Sequence, residues 1–205
     1  MYKCSYKESK EADLIFSLKL EKARLGVKLW RGDEDIYVSK QVHSNRVILF
    51  DKMEDEEGDA IITTLVNTKI GIRTADCVPL AILGYRTVAV IHAGWRGLRD
   101  GIIENTLKMF ERFEPLSHTV AFVGPSAKAC CYKVGKEFEK SFLSLHIKNG
   151  SLFLDTQEEA IIKLRRGGIR KFLRLNVCTI CNHKLPSYRR EKTQDRMVTF
   201  AEVVS

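Results

Sequence analysis

No apolar run in this 205-residue chain is long enough to span a bilayer. Its first residues, Met1-Tyr2-Lys3-Cys4-Ser5-Tyr6-Lys7-Glu8, contain no apolar signal core. The expectation is a soluble, cytoplasmic protein. Internal repeats and low-complexity linkers are also missing. At 44% hydrophobic and 29% charged, the chain supports one sizeable core but not two comfortable domains, so residues 1–205 are expected to form a single domain. Glutamine is confined to Gln41, Gln157 and Gln194 while Lys, Arg and Glu are plentiful, a bias seen in heat-adapted proteins, which points to a thermophile. A disulfide framework is disfavoured as well. With no secretion signal, the six cysteines (Cys4, Cys77, Cys130, Cys131, Cys178 and Cys181) fit thiols or metal ligands better.

Acidic residues are scarce where basic ones concentrate. The net charge is +8, and between Lys163 and Lys192 ten Lys or Arg residues face one acid, Glu191. The commonest reading of such a stretch is a solvated helix face and strand edge, followed by a pocket for a small anion. A polyanion-binding module is the third reading. It is weakened by the near absence of interleaved aromatics, only Phe172 and Tyr188 falling in the patch.

The remaining chain alternates strand and helix signals. Val47–Phe50 and Ala60–Ile62 read as strands, separated by an acidic exposed loop from Asp51 to Asp59. Val78–Leu83 and Val88–Ile91 flank Gly84-Tyr85-Arg86-Thr87 and lack polar alternation, which predicts a hairpin buried on both faces. Ile103, Leu107 and Phe110 stand at helical spacing within Asp100–Phe113, with Asp100 as cap. After a strand at Thr119–Val123, the steps Val134, Phe138 and Phe142 predict a second helix. Thr156 with Glu159 forms a capping-box pattern, and Gly167-Gly168 closes this third helix before a strand over Ile169–Leu175.

Three segments at strand ends carry the chemistry: Gln41-Val42-His43, Thr74-Ala75-Asp76-Cys77 and His92-Ala93-Gly94-Trp95-Arg96-Gly97. His43, Cys77 and His92 supply two imidazoles and a thiolate, borderline-soft donors suited to zinc. Three protein ligands leave a fourth position open, as in a catalytic site. Asp76 would orient an imidazole or move a proton. The same residues also describe a cysteine hydrolase with Cys77 as nucleophile and His92 as base. The turn from Gly94 to Gly97 leads toward a helix starting near Leu98, so its amides suit a phosphate. Arg96, Arg189 and Arg190 could add planar, bidentate contacts. The plainer alternative makes Trp95 a core anchor and Arg96 its surface neighbour. Cys178-x-x-Cys181 followed by His183 looks like half a structural zinc site, which Cys130 or Cys131 completes only if the fold brings them near.

In their order along the chain these motifs resemble a known family. The set comprises Gln41-Val42-His43, Gly58-Asp59-Ala60-Ile61-Ile62-Thr63, Thr74-Ala75-Asp76-Cys77-Val78-Pro79, Val90 to Gly97, Val123-Gly124-Pro125-Ser126 and Cys130-Cys131-Tyr132 with Val134-Gly135. It continues with Cys178-Thr179-Ile180-Cys181, Ser187-Tyr188-Arg189-Arg190-Glu191 and Arg196-Met197. The resemblance is to the laccase-domain proteins, once called multicopper polyphenol oxidoreductases and now described as zinc-dependent purine nucleoside phosphorylases with adenosine deaminase activity. It implies an α/β (α+β) sandwich of mixed β-sheets covered by helices. It also implies zinc ligation by His43, Cys77 and His92, and reaction of adenosine, inosine or methylthioadenosine with phosphate. Phosphorolysis needs phosphate held against the anomeric carbon and assistance to the departing base, whereas deamination needs a water made acidic by the metal.

Departures from the family pattern are visible. The stretch from Phe16 to Lys40 is abbreviated relative to longer members, which leaves the pocket wall to a monomer or to a homodimer that closes the site. Lys133 stands where a Glu is common, and Asp195 where a Gly often precedes the late Arg. A copper-dependent polyphenol oxidase, the older reading, needs many more histidines than the five present (His43, His92, His118, His146 and His183). Zinc is therefore preferred to copper.

Overall fold

The computed structural model describes residues 13–33, 35–52 and 57–205. In chain order these form β1 (Leu14–Lys19), β2 (Ala23–Leu29), β3 (Ile36–Val38), β4 (Val47–Leu49), β5 (Ala60–Thr63), β6 (Lys69–Thr74), β7 (Val78–Leu83), β8 (Val88–Ala93), α1 (Trp95–Asp100) and α2 (Ile102–Phe110). They continue with β9 (Val120–Val123), β10 (Lys133–Val134), β11 (Leu145–Lys148), β12 (Ser151–Leu154), α3 (Thr156–Arg166), β13 (Lys171–Arg174), α4 (Tyr188–Glu191) and β14 (Met197–Val203). A mixed five-stranded sheet has the order β1-β2-β14-β6-β3, and a mixed six-stranded sheet the order β13-β9-β7-β8-β5-β4. A small antiparallel sheet, β10-β12-β11, lies outside both.

Alternation along the central hairpin explains the layering. Val78, Leu80 and Ile82 of β7 and Ala89, Ile91 and Ala93 of β8 pack on one side with Leu98, Ile103, Leu107, Phe110, Ala160 and Leu164 of the helices. The intervening Ala81, Leu83, Val88 and Val90 turn to the other sheet, against Leu25, Val27, Ile70, Ile72 and Val203. Both faces of the hairpin are therefore covered, and every residue of β7 and β8 is buried. That double burial is the reason these runs carry no polar alternation. The expected α/β sandwich of mixed sheets covered by helices is what the chain adopts, α1, α2 and α3 lying on one face of the six-stranded sheet.

Several local expectations are corrected. Asp100 does not cap a helix. It ends α1, Gly101 at φ +89° breaks the chain direction, and Asp100 pairs instead with Arg99. The spacing Val134, Phe138, Phe142 is not helical: Val134 belongs to β10, and Lys136–Phe138 forms a single 3₁₀ turn. Phe138 and Phe142 are buried nonetheless, stacked at 5.2 Å beneath Trp95, because a turn can place two aromatics on one core as a helix does. The cap of α3 is Asp155, which accepts from the amide of Glu158, while the Glu159 carboxylate accepts from the amides of Leu143 and Ser144. The acidic loop also differs. Asp51 lies in a 3₁₀ turn and binds Thr63 and Thr64, residues 53–56 fall outside the described set, and Asp59 is fully buried.

Candidate metal centre and its pocket

Cys77 directly precedes β7, and His92 sits near the end of β8, opposite Pro79. Antiparallel pairing therefore brings thiol and imidazole to one end of the hairpin. His43 reaches them from the loop before β4, with its backbone in the left-handed region at φ 62°. Such a conformation is uncommon for a residue that carries a side chain, and the surrounding bonds hold it. Asp59 supplies those bonds. Its carboxylate accepts from the amides of Val42 (3.3 Å), His43 (3.0 Å) and Ser44 (2.6 Å) and from the Ser44 hydroxyl (2.7 Å).

The same carboxylate lies 2.7 Å from His92 Nδ1, so one buried anion places both imidazoles and leaves His92 Nε2 to face the thiol. Cys77 Sγ is 3.9 Å from His43 Nε2, and the two rings meet edge to face at 4.8 Å. One donor atom from each of His43, Cys77 and His92 lies within 4.8 Å of the others. Gly94 makes this convergence possible: a Cβ there would stand 3.1 Å from both Cys77 Sγ and His43 Cδ2. The trio fits a single soft or borderline metal ion with an open position.

Electrostatics prepare the donors. Burial pushes the Cys77 thiol up, but the His92 charge and bonds from both imidazoles outweigh it and bring the thiol down to about 6. Burial likewise lowers His92, yet the Cys77 thiolate and Asp59 raise it to about 9. Asp59 falls to about 2, because hydrogen bonds from His92 and Ser44 overcome its desolvation. Without a metal, Cys77 and His92 thus form a thiolate–imidazolium pair backed by a carboxylate.

A cavity of about 830 Å³ opens beside the trio. Trp30, Trp95, Tyr132 and Tyr188 give it aromatic surface, and Arg73, Arg96, Arg189, Lys192 and Arg196 give it positive charge. Arg96 lies over the Trp95 ring at 4.4 Å. Tyr132 carries Arg189 over its ring at 4.9 Å, and its phenol is held above the ordinary range by burial and by the negative charges of Cys77 and Asp76.

Not every expected residue converges. Asp76 lines the cavity, but its oxygens accept from the Thr179 hydroxyl (2.6 Å) and the Arg189 amide (2.6 Å), so it anchors two loops. Asp59 holds the imidazole instead. Gly97 is buried under α2, facing the Ser44 carbonyl, and α1 begins at Trp95 rather than near Leu98. Arg190 points away from the cavity: its guanidinium donates to the carbonyls of Thr179, Ile180, Asn182 and Leu185. Asp59 and Tyr132 stand in Gly58-Asp59-Ala60-Ile61-Ile62-Thr63 and Cys130-Cys131-Tyr132, and residue type alone gives neither of them a role. The signal for Asp59 was its place at the start of a buried strand, where a carboxylate needs a partner. The basic stretch is divided among α3, β13 and the following loops, with Lys163 paired to Glu104 and Arg174 to Glu158 and Asp155.

The comparisons agree with this architecture. Residues 18–203 match the family model described as multi-copper polyphenol oxidoreductase laccase, and the chain belongs to that family. Among its relatives is a protein of Aquifex aeolicus named purine nucleoside phosphorylase, 51% identical over 97% of both chains. Another, from Clostridium acetobutylicum and of the same name, is 34% identical over 95% of this chain and 89% of its own. In fold, the chain is similar to Neisseria meningitidis protein NMB0706, with a TM-score of 0.82 at 19% identity over 94% of this chain and 100% of the other. It is similar also to YlmD of Geobacillus stearothermophilus, with a TM-score of 0.80 at 20% identity over 90% and 93%.

Proposed function

We propose that this protein is a zinc-dependent purine nucleoside phosphorylase, cleaving adenosine, inosine or methylthioadenosine with inorganic phosphate and also deaminating adenosine. The observation that carries the reading is the opening of the His43, Cys77 and His92 donors onto a cavity that combines aromatic walls with guanidinium groups. The names of the curated relatives support it. A planar purine has ring faces to stack on Trp30, Tyr132 or Tyr188, while phosphate needs the fork geometry of arginine. Arg96 is the first phosphate ligand in this reading and Arg189 the second, with Gly94 leaving room beside them. Tyr132 Oη keeps its proton and is the donor available to a departing base.

Zinc, held by His43, Cys77 and His92, would supply Lewis-acid polarisation and a water acidic enough to react near neutral pH. Asp59 fixes the His92 tautomer by accepting from Nδ1, which leaves Nε2 as the donor. The deciding experiment is product analysis of the three nucleosides with and without phosphate. Ribose 1-phosphate, or its methylthio counterpart, should form only with phosphate, and inosine should form from adenosine in its absence. Free ribose released equally well without phosphate would sink the phosphorylase reading.

One observation favours a second reading, a cysteine hydrolase. Cys77 with a thiol at about 6, His92 and Asp59 have the roles of nucleophile, base and orienting carboxylate. Such an enzyme would retain activity after chelation and lose it on alkylation of Cys77. The zinc reading requires loss on chelation and recovery when zinc is restored.

A further inference from the structure

A second group of donors stands behind the Tyr132 wall. Cys130 and Cys131 end the segment after β9, and Cys178 and Cys181 belong to the loop after β13. Their four sulfurs all lie within 4.8 Å of one another, with Cys130 Sγ 3.3 Å from Cys181 Sγ and Cys131 joined to Cys181 in a disulfide. That bond is a departure from the thiol-or-metal expectation. It also accounts for only two of four converging sulfurs. Cys130 and Cys178 crowd against it as free thiols.

Two tight turns deliver the sulfurs in pairs. Cys131 N donates to Lys128 O at 3.0 Å, and Asn182 N donates to Cys178 O at 3.0 Å, so each turn presents its two thiols to one side. The turns are in register because Ser126 N donates to Val177 O and Thr179 N donates to Ser126 O. A tetrahedral ion with metal–sulfur bonds of about 2.3 Å separates its sulfurs by about 3.8 Å, the scale of the observed cluster. An iron–sulfur cluster carries its own sulfides at the centre and spreads its cysteines farther. Four thiolates leave no open position, and such a site is closed and structural. Lys128 and Lys148 bring positive charge to the first turn, Lys148 donating to Ala129 O at 2.9 Å and Lys128 to the Asn176 side chain.

We propose that in the reduced chain Cys130, Cys131, Cys178 and Cys181 bind one zinc-class divalent ion in a closed tetrathiolate site. It is separate from the His43, Cys77 and His92 centre and independent of the reaction assigned to that centre. A dithiol reductant transfers two electrons and two protons to the Cys131–Cys181 bond and itself closes to a disulfide. The four thiols then release four protons to solvent as the ion binds, and the site keeps two negative charges in excess. The ion would knot the segment carrying Tyr132 to the loop whose Thr179 holds Asp76, and Asp76 in turn holds the Arg189 amide.

The test uses the full chain purified with zinc and a dithiol reductant, its metal counted by native mass spectrometry. The unchanged chain should carry two zinc ions. Cys77→Ala should carry one, and the pair Cys178→Ser with Cys181→Ser should carry the other. Should the paired serine variant not fold, Cys77→Ala loaded with cobalt(II) still decides. Its visible spectrum should show the intense sulfur-to-metal bands of four thiolates, and chelation should lower its melting temperature. One zinc in the reduced unchanged chain, lost entirely in Cys77→Ala, would overturn the proposal. So would a Cys131–Cys181 disulfide that peptide mapping still finds after reduction.

Discussion

Asp59 Oδ1 lies 2.7 Å from His92 Nδ1 and accepts the His43 amide at 3.0 Å, so a single carboxylate oxygen orients both imidazoles of the candidate metal centre. Asp59→Asn keeps the shape and removes the charge. Zinc affinity at this centre should fall about 10- to 100-fold, as for other losses of a carboxylate behind a metal-bound histidine. Competition with a chromophoric chelator measures it, and unchanged affinity would mean that Asp59 only shapes the loop.

The same residue has a signature in acid. Its folded carboxyl titrates at about 2 against an ordinary value of 3.8, so its contribution is complete above 3.8 and is lost as pH falls through 2. That contribution is on the order of 2 kcal/mol. In chelated protein, Asp59→Asn should melt below the unchanged chain at pH 5, and the gap should close as pH falls toward 2. A gap that stays constant with pH would assign the loss to shape.

Cys77 should be the most acid-reactive thiol of the metal-free chain. Its thiolate fraction rises with pH through about 6, whereas an ordinary thiol ionises near 9. Iodoacetamide labelling resolved by peptide mass should therefore give a midpoint near pH 6 for Cys77 after chelation, and protection when zinc is restored. Cys130, raised by burial and by Cys178, provides an internal contrast with a midpoint above that of an ordinary thiol.

Gly94→Ala tests the close approach at the centre. The new methyl would lie 3.1 Å from Cys77 Sγ and from His43 Cδ2, tighter than ordinary contact. Overpacking of this kind costs about 1–3 kcal/mol, so zinc affinity should fall by roughly 10- to 100-fold. A variant that binds zinc as tightly as the unchanged chain would show that the ligands relax freely.

Arg96→Lys keeps the charge and loses the planar fork. It should raise the phosphate concentration needed for half-maximal phosphorolysis about tenfold, with a smaller effect on the nucleoside KM and none on deamination without phosphate. Loss of both activities would point to a structural role through its stacking on Trp95.

What was legible in the sequence follows the range of the forces involved. The β7–β8 hairpin announced itself through unbroken apolar runs, and His43, Cys77 and His92 through donor chemistry at strand ends. Asp59 was hidden because five acids, Asp51, Glu54, Asp55, Glu56 and Glu57, precede it in sequence, and local composition reads as solvent. Its burial arises from three amides and an imidazole that only the folded loop collects. Val134, Phe138 and Phe142 mimicked a helix because core-facing spacing does not distinguish a helical turn from a 3₁₀ turn beside a short strand. The cysteine cluster joins residues 50 positions apart, and no local pattern specifies that closure.

The antiparallel β7–β8 pair separates the donors from the cavity wall. Cys77 directly precedes, and His92 lies on, strands buried on both sides, whereas Tyr132, Tyr188 and Arg189 stand on segments outside the two large sheets. Exchanging wall residues therefore leaves the Cys77 and His92 donors in place, so the lining of the cavity can be changed separately from the candidate metal centre. A library confined to positions 30, 132, 188 and 194 should yield altered nucleoside selectivity with undiminished zinc content.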